Sequence, residues 1–183
     1  MKILILDGQP DANDVQYAGY LRQLVQRLRA GNHSVTHTII REQSIKYCTG
    51  CWSCWWKTPG RCFVQDDSQQ ICADTIHADF LLFASPVIMG FPSALLKKTQ
   101  DKLIPLLHPY IQIVHKECHH RKRYESYPKL GLLLQKSPDT DAEDIKIITD
   151  IYDRFSLNFR STLDFTMTTE QPVEEVFHAI NHL

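Results

Sequence analysis

Cys48, Cys51, Cys54 and Cys62 fall inside one run, YCTGCWSCWWKTPGRC (47–62). Thiols two residues apart can converge on a metal or an iron–sulfur cluster, or pair with each other. Zinc usually takes two such pairs separated by a longer loop, which this run lacks. The chain's three tryptophans, Trp52, Trp55 and Trp56, stand in the same run. Their indole rings can stack on a flat ligand or fill a contact between chains. The plainest alternative is a loop whose thiols and rings only pack under a lid, since free cysteine is often buried. A second group, HKECHHRKRY (115–124), brings His115, Cys118, His119 and His120 into a basic stretch. Their adjacency converges poorly on one metal, so the run reads as a solvated basic face.

These groups need a scaffold. At 183 residues the chain is long enough for one domain with a sizeable core. A net charge of -1 argues against a generic nucleic-acid or acidic-membrane binder. No apolar run reaches membrane-spanning length. The start, MKILILDGQPD, reads as a buried strand, not a signal peptide. A cytoplasmic setting with reduced thiols is expected.

The apolar run from Lys2 to Asp7 predicts a strand covered on both faces. A helix from Asn13 or Asp14 follows, burying Tyr17, Leu21, Leu24, Val25 and Leu28 and stopping near Gly31-Asn32. His33 to Ile40 reads as a second strand. Asp66, Asp67 and Ser68 open a helix through about His77 as capping residues, not as an acid–base pair. Cys72 faces its core. Asp79 to Ala84 is a third strand ended by Ser85-Pro86. A loop then leads to a helix from Pro92 with Leu95, Leu96, Thr99, Leu103 and Leu107 inward. Residues 108–128 read as irregular. Lys129 to Gln135 is a fourth strand. A helix opened by Asp139 or Thr140 follows, with Ile145, Ile148, Tyr152 and Phe155 on one face. Arg160 to Thr168 is a fifth strand, and Pro172 starts the last helix. Strands alternating with helices predict a three-layer α/β sandwich with right-handed crossovers. Ligands of such sheets bind at the carboxyl ends of the strands, here the loops 8–14, 85–91 and 136–140.

Several segments together resemble the flavodoxin-like NAD(P)H-dependent FMN and quinone reductases, which include iron–sulfur flavoproteins. They are the first strand with GQP, the run CTGCWSCWWKTPGRCFVQDD (48–67), and SPVIMGFPSALLKKTQDKL (85–103). The resemblance covers nearly the whole chain. It implies a single flavodoxin-like domain with a five-stranded parallel sheet in the order 2-1-3-4-5. It implies FMN at the strand ends, NAD(P)H as co-substrate, a quinone, flavin or other small electron acceptor, and a homodimer or homotetramer. Chemistry borne by the flavin needs no catalytic side chain of its own. Cys48, Cys51, Cys54 and Cys62 are the ligands the resemblance implies wherever an iron–sulfur cluster is present; the seven-residue step to Cys62 is longer than in the tightest form of that motif. Many relatives with such a loop resemble plain flavin reductases.

FMN needs donors for its phosphate and flat walls for its ring. The phosphate candidates are Gln9, Asp11, Asn13, Asp14, Val15 and Gln16. The ring candidates are Pro86, Val87, Ile88, Met89 and Gly90, with Trp52, Trp55 and Trp56 as substrate or stacking candidates. The sequence departs from the family at the first loop. Asp11 stands where one branch has arginine, and Asp14 where another has serine. A carboxylate repels a phosphate but also caps a helix well. Two rival readings follow: a flavodoxin-fold binding protein that has lost FMN, and an iron–sulfur flavoprotein.

Overall fold

The computed structural model describes residues 1–114 and 116–183. In chain order the elements are β1 (Lys2–Asp7), α1 (Val15–Ala30), β2 (Ser34–Ile39), α2 (Ser53–Trp56), α3 (Ser68–His77), β3 (Phe80–Ile88) and β4 (Phe91–Pro92). Then come α4 (Ala94–Asp101), β5 (Leu107–Val114), β6 (Glu117–Lys122), β7 (Lys129–Gln135), α5 (Ala142–Asn158), β8 (Leu163–Thr168) and α6 (Val173–Asn181).

Five strands run parallel in the order β2-β1-β3-β7-β8, with β4 antiparallel at the end of β3. Counted along the parallel strands this is 2-1-3-4-5, as expected. The continuous apolar runs divide by parity between two cores, because successive side chains leave opposite faces of a strand. Leu4, Leu6, Leu81, Phe83, Leu130, Leu132 and Leu134 face α3, α4 and α5. Ile3, Ile5, Phe80, Leu82, Ala84 and Leu133 face α1 and α6. Tyr17, Leu21, Leu24, Val25 and Leu28 of α1 are all buried there. The α5 face built on Ile148 and Tyr152 packs on the other side.

Several elements differ from the sequence expectation: α5 opens from Asp141 rather than Asp139 or Thr140, β8 starts at Leu163 rather than Arg160, and α4 ends at Asp101, short of Leu103 and Leu107. β3 continues through Ser85-Pro86 to Ile88 and turns back into β4 through Met89 (φ 51°) and Gly90 (φ 77°). Two consecutive positive φ angles make the tight two-residue turn that suits a hairpin. Pro86 is tolerated because the ladder there ends within a residue of it. Residues 107–122 form a second sheet, the β5–β6 hairpin, rather than an irregular stretch. The helix expected from Pro92 begins at Ala94, with Ser93 as its N-cap. No helix among the described residues is long and apolar enough to cross a membrane.

Candidate functional site

The sheet order reverses between β1 and β3, so loops leaving these two strands diverge and open a site at their ends. Gly8 begins the first loop. Its N–H donates to the Ala84 carbonyl at 2.8 Å, and the Ser93 hydroxyl donates to the Gly8 carbonyl. A Cβ on Gly8 would lie 2.8 Å from Leu96 Cβ, so this close approach requires glycine. The Ser93 N–H donates to Ser85 Oγ at 2.9 Å, locking α4 to β3. The first loop and the β3–β4 hairpin are thereby held side by side.

The first loop satisfies most of its own donors. Asp14 caps α1, its Oδ1 accepting from the Tyr17 N–H at 2.9 Å. Asp14 Oδ2 accepts from the side-chain amides of Gln9 (3.0 Å) and Gln135 (2.8 Å). Gln9 also donates to Gln135 Oε1 at 3.1 Å, closing a three-membered ring of side chains over the end of β3. Gln9 is buried, while Asp11, Asn13, Val15 and Gln16 are exposed. Beneath the ring, Asp7 accepts from the Gln9 N–H and from His37 Nε2, each bond closing the loop further. Tyr17 packs against this carboxylate; burial first, and Asp7 second, push its phenol well above its ordinary value.

The residues 86–90 divide. Val87 is in the core, whereas Ile88 is 44% and Met89 94% exposed, with Phe91 beside them at 54%. These side chains supply an apolar surface for a planar ring. The flavin's ring end therefore fits; a phosphate end does not, because the helix terminus already holds a carboxylate. At 4 Å a unit charge pair near a protein surface interacts by about 4 kcal/mol, here with the wrong sign.

The cysteine run makes a separate site. A cavity of about 630 Å³ lies between it, the C-terminal halves of α4 and α5, and β6, and is lined among others by Trp52, Cys54, Cys62, Lys102, His119 and Phe155. No residue of 8–16 or 86–90 lines it. The four cysteines are brought to one cavity but not to one metal. Among the described residues no group of three His, Cys, Asp or Glu side chains is placed to hold an ion. Cys48 and Cys51 are exposed and Cys54 is buried. Cys62 accepts a hydrogen bond from Lys102 Nζ at 3.2 Å. All four thiols line the same cavity, and Cys54 lies within the electrostatic reach of the other three. Burial first, then the neighbouring Cys62 and Cys48, raise the Cys54 thiol. Hydrogen bonds from Ser53 lower that of Cys51.

Lys102 is the residue the sequence did not announce. Its ammonium lies 3.3 Å from Asp66 Oδ2, with side chains 2% and 3% exposed. Burial works against its charge, but the Cys62 and Asp66 partners outweigh burial and hold its proton more firmly than usual. Asp66 also accepts from the Ser68 and Lys46 N–H groups, each at 3.0 Å, whereas Asp67, which stands at the N-cap of α3, makes no side-chain capping bond and accepts from the Ser44 N–H instead. Trp52 stacks on Trp55 with centroids 4.5 Å apart, and Trp55 leans on His120 at 5.2 Å. Trp56 is 70% exposed. Of the basic run, His119 is buried, while Cys118, Arg121 and Lys122 are exposed, so β6 is solvated on both faces except at His119. His115 lies outside the described residues.

An iron-sulfur flavoprotein of Archaeoglobus fulgidus is 30% identical over 84 residues, 46% of this chain and 37% of that protein. The chain thus spans well under half the length of that relative. A putative quinone reductase from Klebsiella pneumoniae superposes with a TM-score of 0.65 at 12% identity, covering 100% of this chain and 83% of that one. An FMN-dependent NADH-azoreductase from Bacillus anthracis, solved with FMN, gives 0.59 at 11% identity over 99% and 94%. At such identities these structures speak for the fold. Residues 1–104 match the Flavodoxin_2 family, described as a flavodoxin-like fold. The chain belongs to that family.

Proposed function

We propose that the chain is a flavin-dependent oxidoreductase that takes electrons from NAD(P)H and passes them to a quinone, a flavin or another small acceptor. One observation carries this reading: at the switch point of the sheet, the first loop is hydrogen-bonded beside a hairpin tip whose Ile88, Met89 and Phe91 present apolar surface to solvent. A flavin, when bound, supplies two-electron transfer. The chain's own contribution is binding and orientation. Pro86 and Ile88 offer walls, and Gly90 lets the backbone come close. The names of the similar proteins, a quinone reductase, an azoreductase and an iron-sulfur flavoprotein, support a redox role. A homodimer belongs to the same proposal. Tyr110, Ile111 and Ile113 of the β5–β6 hairpin, 63%, 49% and 69% exposed, offer apolar surface for it.

The test is steady-state oxidation of NADH and NADPH by the purified chain with a quinone acceptor, with and without added flavin. Flavin-dependent turnover with parallel-line kinetics supports the proposal. A second reading, a flavin-free binding protein, is favoured by one observation only, the Asp14 carboxylate at the helix terminus. It predicts no turnover under any of these conditions.

A further inference from the structure

A helix N-terminus offers unpaired N–H groups and a positive dipole end, and so attracts anions. In this chain part of that capacity is already taken, and among the described residues of this loop the N–H groups of Ala12, Asp14 and Gln16 are the ones left without a partner. The Gln9 N–H donates to Asp7 Oδ1 at 3.0 Å, the Asp11 N–H to Gln9 Oε1 at 3.1 Å, and the Asn13 N–H to Asp11 Oδ1 at 2.8 Å. The Tyr17 N–H is held by Asp14. The side-chain amides of Gln9 and Gln135 converge on Asp14 Oδ2. The start of the helix is occupied by the chain's own anion, Asp14, and the segment before it carries Asp7 and Asp11.

The cations nearby do not reverse this. His37 is paired to Asp7 at 3.2 Å. Arg41 reaches the Gln9 carbonyl at 3.4 Å and shares its charge with Glu42 at 3.6 Å. Neither donates to Asp14.

Resting on the flavin reading, we infer that the site selects a flavin whose side chain ends in a neutral hydroxyl, the riboflavin form, over FMN, and that Asp14 sets this preference. A phosphate monoester carries about −1.5 to −2 charges at neutral pH. It would have to displace the amide ring or lie against the carboxylate. A primary hydroxyl is uncharged and donates one hydrogen bond, which a carboxylate oxygen can accept. The same atoms that repel the first group therefore receive the second. Gln9 and Gln135 are positioning residues here: they hold the carboxylate in place and would turn their donors outward once it is removed.

The experiment is titration of riboflavin and FMN into the flavin-free full chain, read by quenching of flavin fluorescence and by calorimetry, for wild type, Asp14→Ser and Asp14→Asn. Serine caps a helix about as well as aspartate, and asparagine keeps a capping oxygen if the serine variant folds poorly. Wild type should bind riboflavin at least about tenfold more tightly than FMN, a margin of about 1.4 kcal/mol. Removing the charge should raise FMN affinity about tenfold or more and change riboflavin affinity much less. FMN bound by wild type as tightly as riboflavin, or an unchanged ratio in folded variants, overturns the inference and leaves the flavin reading standing. Failure of wild type and both folded variants to bind either flavin overturns both.

Discussion

Asp14 Oδ2 accepts a hydrogen bond from Gln135 Nε2 at 2.8 Å, so the start of α1 is tied to the end of β7 across the strand that lies between β1 and β7. The bond joins residues 121 positions apart and closes the candidate site at its switch point. Gln135→Leu removes a donor to a charged acceptor, a change worth about 1.5 to 3 kcal/mol when the acceptor is left short of partners. Asp14 keeps Gln9 and Tyr17 and is part-exposed, so the lower end is expected. Urea unfolding should show a loss of about 1 to 2 kcal/mol, and hydrogen exchange at Asp11 and Asn13 should quicken.

The Lys102–Asp66 pair is nearly out of water, and breaking one partner leaves the other charge buried. Asp66→Ala is expected to cost about 3 to 5 kcal/mol by denaturant unfolding. Lys102→Met should cost less, because Asp66 retains its bonds from Ser68 and Lys46. Equal losses would contradict the assignment of the burden to the unpaired ammonium.

The same carboxylate makes stability depend on pH. Burial alone would raise the Asp66 carboxyl, but hydrogen bonds from Ser68, Lys46 and Lys102 outweigh it and hold the group below its ordinary value. A group depressed in the folded state stabilises fully above its unfolded value and loses that contribution as pH falls through the folded one. Unfolding free energy should therefore decline from about pH 5 downward. Asp66→Asn should flatten that slope while leaving the neutral-pH limb parallel to wild type.

Much of this was legible in the sequence where local pattern and final environment agree. β1 and β7 have the expected bounds because a strand covered on both faces is apolar throughout its middle and ends at polar residues, here Lys2 and Asp7, Lys129 and Gln135. The buried face of α1 follows from helical spacing alone. β3 outruns the end that Ser85-Pro86 suggests, because a proline that normally stops a ladder stands here where the ladder with β7 is ending anyway. The β5–β6 hairpin left no alternation to find, since HKECHHRKRY is polar on both faces and its one buried residue, His119, sits among charges. Asp14 was legible as a cap and as an obstacle to phosphate. Its bond to Gln135, and that of Lys102 to Asp66, were not: a polar contact between distant residues leaves no periodic trace in either.

Thiol reactivity should follow the environments of the six cysteines. Cys51, exposed and lowered by its Ser53 hydrogen bonds, should alkylate fastest in the native state. Cys72, buried and pushed up to about 12, first by burial, should resist until the chain unfolds. Timed alkylation with peptide mass analysis gives the order. Early labelling of Cys72 would contradict the packing described.

Gly8 is held where a side chain has no room. Gly8→Ala would place Cβ 2.8 Å from Leu96 and 3.0 Å from Ser93 Oγ. An overpacking cost of about 1 to 3 kcal/mol is expected in urea unfolding, with flavin affinity falling as the first loop is pushed from the hairpin.

The most direct test of the proposed function is an anaerobic visible spectrum of the chain loaded with riboflavin or FMN, followed as NADH or NADPH is added. The account predicts that the flavin bands bleach with two electrons taken up per bound flavin, much faster than free flavin in the same mixture, and return when a quinone is added. Bound flavin that neither nucleotide reduces faster than free flavin would contradict it.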